Sequence, residues 1–472
     1  MLQKILIANR GEIAVRIIRA CAEMGILAVA VYSDADRYGL HVKKADEAHS
    51  LGEDPLAGYL NPHHLVNLAL ETGCDAIHPG YGFLSENSHF AEICHLRGIR
   101  FIGPGSEVIR SMGDKTQARS AMQAAGIPVV PGSEGNLESL DEALALAGEI
   151  GYPVMLKATS GGGGRGIRRC DDAEDLRKNY ERVVSEATKA FGSAEVFLEK
   201  CIVNPRHIEV QILADRFGNV IHLFERDCSI QRRNQKLIEI APSPQLTEEQ
   251  RNTVCDLAVR AAKAVNYENA GTVEFLFDQD GNCYFMEMNT RVQVEHTITE
   301  AITGIDIVEE QIRIASGLPL RYSQDEIEYR GFAIQFRINA EDPRNDFLPS
   351  FGRITRYYAP GGPGVRTDTA IYTGYDIPPF YDSMIAKLIV WALKWEDVIS
   401  RSHRALDDME ISGIKTTRPY YQQILRAERF CKADFDTGFV DSHPHLLRYS
   451  EKRHKAHIAA VLAAAIAAHA GL

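Results

Sequence analysis

The chain has 472 residues, 52 Lys and Arg against 64 Asp and Glu, and a formal net charge of −12, which excludes sequence-independent nucleic-acid binding because that needs a basic surface. Hydrophobic residues at 45% and charged residues at 25% are ordinary for a globular protein of about two to four packed units. The scattered cysteines (Cys21, Cys74, Cys94, Cys170, Cys201, Cys228, Cys255, Cys283 and Cys431) form no CxxC, Met1 to Asn9 holds no long apolar stretch, and nothing approaches the length of a membrane span. A disulfide framework, a thiolate zinc site, a secretory signal and a membrane role are thereby excluded, and a cytoplasmic protein is expected.

Ile5 to Asn9 reads as a buried strand. Arg10-Gly11-Glu12 then leads into a helix with Ile13, Ile17, Cys21 and Met24 at helical spacing, and Ala28 to Tyr32 reads as the next strand. This is a βαβ start of a doubly wound parallel sheet, without the GxGxxG of a dinucleotide site. HPGYGFLSEN (78–87) is a glycine-rich loop after a strand, either substrate-facing or a plain strand-to-helix connection. A second unit begins after Gly103-Pro104-Gly105. Gly113-Asp114-Lys115 opens a helix, and GIPVVPG (126–132) turns into new structure.

Tyr152 to Ala158 is a strand carrying Lys157, and SGGGGRG (160–166) follows it. Consecutive glycines leave backbone N–H groups free to wrap phosphate oxygens, although a lone glycine run is as readily a linker. Lys157 in front and Arg165 inside favour phosphate. Glu195 to Lys200 is a further strand ending at a bend. His207, Glu209 and Gln211 then alternate with Ile208, Val210 and Ile212, where a single His is more often structural than a site residue. CSIQRRNQKLIE (228–239) gathers Arg232, Arg233 and Lys236, which suits either a solvated basic face or an anionic substrate.

The most telling stretch is GTVEFLFDQDGNCYFMEMNTRVQVEH (271–296). Asp280-Gly281 between apolar runs predicts a hairpin with a two-residue type I′ turn. Its register would set Gln279 opposite Asn282, Phe277 opposite Tyr284 and Glu274 opposite Glu287. Facing carboxylates repel unless a divalent cation lies between them. Strand alternation then predicts Glu287, Asn289, Arg291, Gln293 and Glu295 on one face, with Met288, Thr290, Val292 and Val294 on the other.

SGGGGRGIR, the Glu199-Lys200 hinge, RDCSIQRRNQK and GTVEF…FMEMNTRVQVEH resemble the biotin carboxylase branch of the ATP-grasp ligases. ILIANRGEIAVRI and HPGYGFLSEN are similar to that family's amino-terminal part; FRINAEDP (336–343) and Asp382 to Lys387 are similar to its carboxy-terminal part. The resemblance covers about residues 1–446, with Asn234 standing where the family usually has His. It implies an α/β protein (α+β in its carboxy-terminal part) with the ATP-grasp fold. The expected divisions are a doubly wound parallel-sheet domain (1–112), an ATP-grasp domain (113–325) with a mobile glycine-rich lid (130–203), a mainly antiparallel domain (326–446) and a tail (447–472).

The resemblance further implies that Lys115, Lys157, Glu199, Lys200 (through its backbone), Ile202, His207, Gln231 and Asn234 line an ATP site, under a lid of Gly161, Gly162, Gly163, Gly164 and Gly166. Glu274 and Glu287, with Asn289 nearby, would hold Mg²⁺ or Mn²⁺. Lys236, Arg291, Gln293 and the Val294 backbone would hold bicarbonate, with Glu295 as its general base. Arg337 would stabilise the biotin enolate, with Tyr81 and Asp382 at the biotin end. The implied reaction is ATP- and bicarbonate-dependent carboxylation of biotin through carboxyphosphate. Because the chain has no Met-Lys dipeptide, biotin is expected on a separate carrier or carboxyltransferase subunit.

FDTGFVDSHPHLL (435–447) is more similar to the biotin carboxylase part of pyruvate carboxylases than to that of acetyl-CoA carboxylases, implying the biotin carboxylase component of a two-subunit pyruvate carboxylase. An acyl-CoA carboxylase subunit is the alternative within the family, and a homodimer is consistent with it. A non-catalytic ATP-binding regulatory subunit should have lost Glu274, Glu287, Glu295 or Arg337; all are present. An ATP-grasp ligase making an amide through an acyl-phosphate would share the metal hairpin without needing RVQVEH. In the tail, HIAAVLAAAIAAHAGL (457–472) carries Ile458, Val461, Leu462, Ala465 and Ile466 at helical spacing, with Ala filling most of the remainder. It is read as a helix docking on the partner subunit rather than folding back on its own domain.

Overall fold

The computed structural model describes residues 1–159, 166–191, 195–449 and 455–470. The chain opens with β1 (Lys4–Ile7), α1 (Gly11–Glu23) and β2 (Leu27–Tyr32), followed by β3 (Glu47–Ser50), β4 (Ala76–His78) and β5 (Arg100–Phe101). These strands form a five-stranded sheet in the order β3-β2-β1-β4-β5, paired in parallel throughout. Its central strands read as unbroken apolar runs because both faces are covered. Ile5 and Ile7 pack towards α1, while Leu6, Val29 and Val31 pack towards Leu65, Phe90 and Phe101.

The helix α2 (Lys115–Ala124) starts where Gly113-Asp114-Lys115 predicts it, because the Asp114 carboxylate accepts the N–H groups of Thr116 and Gln117. A three-stranded antiparallel sheet follows, from β6 (Val154–Ala158), β7 (Ile167–Cys170) and β8 (Val196–Lys200), with β6 in the middle. Ser160 to Arg165 lie outside the described residues, so the glycine lid expected at Gly161, Gly162, Gly163 and Gly164 does as well.

The largest element is an eight-stranded antiparallel sheet. It is built from β9 (Arg206–Ala214), β10 (Val220–Arg232), β11 (Gln235–Ala241), β12 (Asn269–Phe277), β13 (Cys283–Asn289), β14 (Phe332–Asn339), β15 (Val365–Thr369) and β16 (Met384–Ala392). Its order is β13-β12-β9-β10-β11-β14-β16-β15, so the β11–β14 pairing carries one continuous sheet across the expected division at residue 326. On β9, Ile208, Val210 and Ile212 pack under the helix Glu248–Ala264, and the alternate residues His207, Glu209 and Gln211 are buried on the other face.

The hairpin departs from its expected turn. Asp278 and Asn282 close a three-residue loop, with the Asp278 carboxylate accepting the N–H groups of Asp280 and Asn282 at 3.0 and 2.8 Å. Phe277 therefore pairs with Cys283 rather than Tyr284. A register shift between Phe275/Phe285 and Glu274/Glu287 makes Met286 an extra residue, and this bulge restores the expected Glu274–Glu287 pair. It also lets Phe285 face the core while Glu287 faces the opposite side. The strand ends at Asn289; Thr290 to Glu295 is a loop leading into α3 (His296–Thr303), not a continuation of the strand.

The tail forms α4 (Lys455–Ala470), with Val461, Leu462 and Ile466 at 57%, 57% and 67% exposure. Among the described residues no helix is long and apolar enough to cross a membrane.

Candidate active site

Lys236 is the centre of the site. It leaves the β10–β11 turn on β11, and its ammonium contacts Glu209 at 2.5 Å, Glu274 at 2.9 Å and Glu295 at 2.7 Å. Strict alternation would put Lys236 and Glu239 on opposite faces, but a second bulge, at Leu237, brings them to the same one. Glu239 then pairs with Arg337 of β14 at 2.5 Å, and Arg337 reaches Glu295 at 2.9 Å. Glu209 is in turn held by the fully buried Arg226 at 2.5 Å.

These pairs set the charge states. Burial opposes ionisation of Glu295, but Lys236, Arg337 and Arg226 outweigh it and hold the carboxyl well below its usual range. Glu274 is likewise held down, against burial, by Lys236 and by His207, whose Nε2 lies 2.6 Å from the carboxylate. Lys236 is held well above its usual value by the three carboxylates, again against burial.

The loop after β13 brings in the remaining polar groups. Arg291 donates to Asn289 Oδ1 at 2.9 Å and Gln293 Oε1 at 2.7 Å, and pairs with Glu86 of the 78–87 loop at 2.8 Å. Asn289 and Gln293 both donate to Glu274 Oε1, at 2.8 and 2.9 Å. Glu287 behaves differently. It accepts no hydrogen bond from any described residue, and burial followed by repulsion from Glu274 pushes its carboxyl up. A carboxylate whose repulsion from a second one is only partly offset by Lys115, Lys236 and His207, with the amide of Asn289 adjacent, is a donor set that suits a hard divalent cation. His207, Glu209 and Glu274 also lie close enough to share an ion, but Lys236 and Arg226 already supply the positive charge there.

His207, Lys236, Glu274, Glu287, Asn289, Arg291, Gln293, Glu295 and Arg337 line one cavity of about 1170 Å³, with Glu209, Arg226 and Glu239 buried behind it. At its other end lie Lys115, Lys157, Glu199, Lys200, Ile202, Gln231 and Asn234. Lys157 pairs with Glu199. The Lys200 ammonium donates to the carbonyls of Gly151 and Tyr152, at 2.8 and 3.0 Å, and its backbone N–H donates to the carbonyl of Pro131 at 2.7 Å. Asn234 has φ 63° in the β10–β11 turn, a conformation Asn tolerates better than most residues. Tyr81, Val294 and Asp382 also line the cavity, whereas Gly166 lies outside it at the start of β7.

Of the basic cluster at 228–239, only Lys236 enters the site. Arg232 packs over the Phe347 ring and pairs with Asp346, and the exposed Arg233 reaches the same carboxylate at 3.3 Å. Sequence reasoning passed over Glu239, Arg226, Lys387 and Arg119, which lines the cavity 3.6 Å from Glu199. Two carried a legible signal: Glu239 in Leu237-Ile-Glu-Ile-Ala and Lys387 in Ile385-Ala-Lys-Leu-Ile-Val are single charges inside apolar strands, which must be paired once buried.

Family models match the chain in three consecutive stretches. These are the biotin carboxylase N-terminal domain over residues 1–109, the carbamoyl-phosphate synthase L chain ATP binding domain over 114–323, and the biotin carboxylase C-terminal domain over 335–442. The chain is 56% identical over 472 residues to the 2-oxoglutarate carboxylase small subunit of Hydrogenobacter thermophilus, covering 100% of both. It is 52% identical over 444 residues to a pyruvate carboxylase subunit of Methanothermobacter thermautotrophicus, covering 94% of this chain and 90% of that one. The crystal structure of the biotin carboxylase domain dimer of the Hydrogenobacter enzyme, in complex with MgADP, ADP and bicarbonate, matches with a TM-score of 0.92 at 56% identity, over 96% of this chain and 100% of that one. Likeness of this extent, running through all three sheets described above and the loop that carries Arg291 to Glu295, means that the chain belongs to the biotin carboxylase family of ATP-grasp enzymes.

Proposed function

We propose that this chain carboxylates biotin held on a separate carrier subunit, using ATP and bicarbonate. The observation that carries this reading is the convergence of Lys236, Arg291 and Arg337 around Glu295, in the same cavity as the Glu274–Glu287 pair. In this reading Lys115, Lys157 and the 199–202 hinge bind ATP, with Gly161 to Gly164 and Gly166 as its phosphate lid. Glu274 and Glu287 would hold Mg²⁺ or Mn²⁺, which would supply charge neutralisation to the ATP phosphates. Lys236, Arg291, Gln293 and Val294 receive bicarbonate. An anion drawing Lys236 away from Glu295 weakens the ion pair that suppresses that carboxylate's basicity, so bicarbonate binding itself prepares Glu295 as base. The deprotonated bicarbonate attacks the γ-phosphate, giving ADP and carboxyphosphate, which releases CO₂. The phosphate left behind takes the N1 proton of biotin, Arg337 stabilises the resulting enolate at the ureido oxygen, and N1 attacks the released CO₂ to give carboxybiotin. Tyr81 and Asp382 lie at the biotin end.

The test is ADP release by the isolated chain with Mg²⁺, ATP and bicarbonate, with and without free biotin. Strong stimulation by biotin is expected; no stimulation with ATP bound would favour a non-catalytic ATP-binding subunit.

For the final carboxyl acceptor we propose a 2-oxo acid. Residues 435–447 favour pyruvate, with this chain as the biotin carboxylase component of a two-subunit pyruvate carboxylase. The 56% identity over 472 residues with a 2-oxoglutarate carboxylase small subunit supports 2-oxoglutarate as the second reading. Radiolabelled bicarbonate offered with each acid to the purified complex distinguishes them. We also propose homodimerisation and docking of the partner subunit on α4, whose exposed Val461, Leu462 and Ile466 support the latter. Deleting residues 456–472 should dissociate the partner on a sizing column while leaving ADP release intact; an unchanged complex removes this role.

A further inference from the structure

The backbone of Val294 is held from two sides by buried donors. On the first, the carbonyl of Gln293 accepts from the ring of His296 at 2.7 Å. A carbonyl oxygen only accepts, so the proton is on His296 Nδ1. On the second, the carbonyl of Val294 accepts from the Lys387 ammonium at 3.0 Å. Lys387 reaches it from β16, fully buried, with the Glu12 carboxylate at 3.1 Å as its counter-ion. Glu12 also accepts from the hydroxyl of Tyr81. His296 thus holds the 293–294 peptide and Lys387 the 294–295 peptide, so the two peptides that flank the Val294 Cα are both fixed, the second through a chain of contacts from β16 to α1 and the loop after β4.

The geometry has a direct consequence. A trans peptide sets its N–H opposite its C=O, and the 293–294 bond is not among the cis peptides. With the Gln293 carbonyl drawn towards His296, the Val294 N–H points the other way. It donates to no described residue, and Val294 lines the cavity. Burial keeps the His296 ring neutral, with its pKa lowered to about 3, so the ring stays a single directed donor at working pH.

We propose that His296 and Lys387 are positioning residues that fix the two consecutive peptides flanking the Val294 Cα, and so hold the Val294 N–H aimed at the bicarbonate subsite, which rests on the function proposed above. Neither side chain touches the substrate. Their contribution is preorganisation: a donor already aimed at an anion needs no reorientation when the anion arrives.

The experiment measures ADP release by the full chain with free biotin, varying bicarbonate and ATP separately. It compares wild type, Lys387→Met and the double variant Glu12→Gln/Lys387→Met, which leaves no buried carboxylate without its partner. Both variants should raise the KM for bicarbonate about tenfold to a hundredfold while the KM for ATP stays within about twofold, the range expected for removal of an orienting contact. A nucleotide-binding variant with wild-type bicarbonate KM overturns the assignment. So does an equal rise in both constants, which is the signature of a general structural role. A wild-type chain with no bicarbonate-dependent ADP release removes the proposed function itself, and this assignment with it.

Discussion

Glu295 is 2.7 Å from Lys236 and 2.9 Å from Arg337, and both partners lower its basicity in the resting site. Two substitutions separate the roles of its neighbours. Arg337→Ala should spare bicarbonate-dependent ATP cleavage more than biotin carboxylation, because Arg337 is assigned to the enolate; equal loss of both would argue against that assignment. The same change removes a cation beside Glu295, so the carboxyl's pKa rises and the acid limb of the pH–rate profile moves to higher pH. Glu274→Gln should lower ADP formation by orders of magnitude, because a neutral amide is a weak ligand for a divalent cation. Near-normal ADP formation at low Mg²⁺ would take Glu274 out of the ligand set.

At the level of elements, two single-residue bulges do much of the positioning. Met286 lets Phe285 face the core while Glu287 faces the cavity, and Leu237 brings Lys236 and Glu239 to one face. Neither is visible in an alternating pattern, because a bulge is the interruption of that pattern. The start of α2 is instead legible from the sequence, since Asp114 caps it. Asp114→Ala should cost about 1 kcal/mol of stability. It should also raise the KM for ATP and leave that for bicarbonate unchanged, because Lys115 is the first residue of the helix. A thermal melt with steady-state kinetics checks both, and an unaltered ATP constant would detach Lys115 from the nucleotide.

The whole molecule depends on pH through histidines buried in three different packing layers. His41, His78 and His296 are at most 1% exposed, and burial lowers their pKa values to about 4, 3 and 3. An unfolded histidine titrates near 6.5, so below that pH the unfolded chain binds more protons than the folded one. Each of the three then removes stability as the pH falls towards its folded pKa, by up to about 1.4 kcal/mol per pH unit. The melting temperature should therefore fall between pH 7 and pH 5, before Asp368, lowered to about 2 by Arg366 against burial, begins to lose its contribution. Calorimetry across that range checks this, and a flat profile would contradict the neutral, buried state of these rings.

Local chemistry in the sequence was enough for the parallel amino-terminal sheet, the helix start at Asp114 and the inventory of cations and carboxylates, because each of these is written in residues that are neighbours in the chain or alternate along one strand; the Glu274–Glu287 pair was reached through a two-residue turn that the structure replaces, and the extra Met286 restores it. Only the tertiary structure decided the three-residue turn, the two bulges, the loop that replaces the expected strand through Glu295, and the pairing of Arg232 and Arg233 with Asp346. It alone brought Glu239, Arg226 and Lys387 to the site. A buried charge survives only beside an opposite one. The partners of these charges lie between 17 residues away in the chain, for Arg226 and Glu209, and hundreds, for Lys387 and Glu12. Such pairs are set by how strands pair and bulge, which no local window of sequence contains.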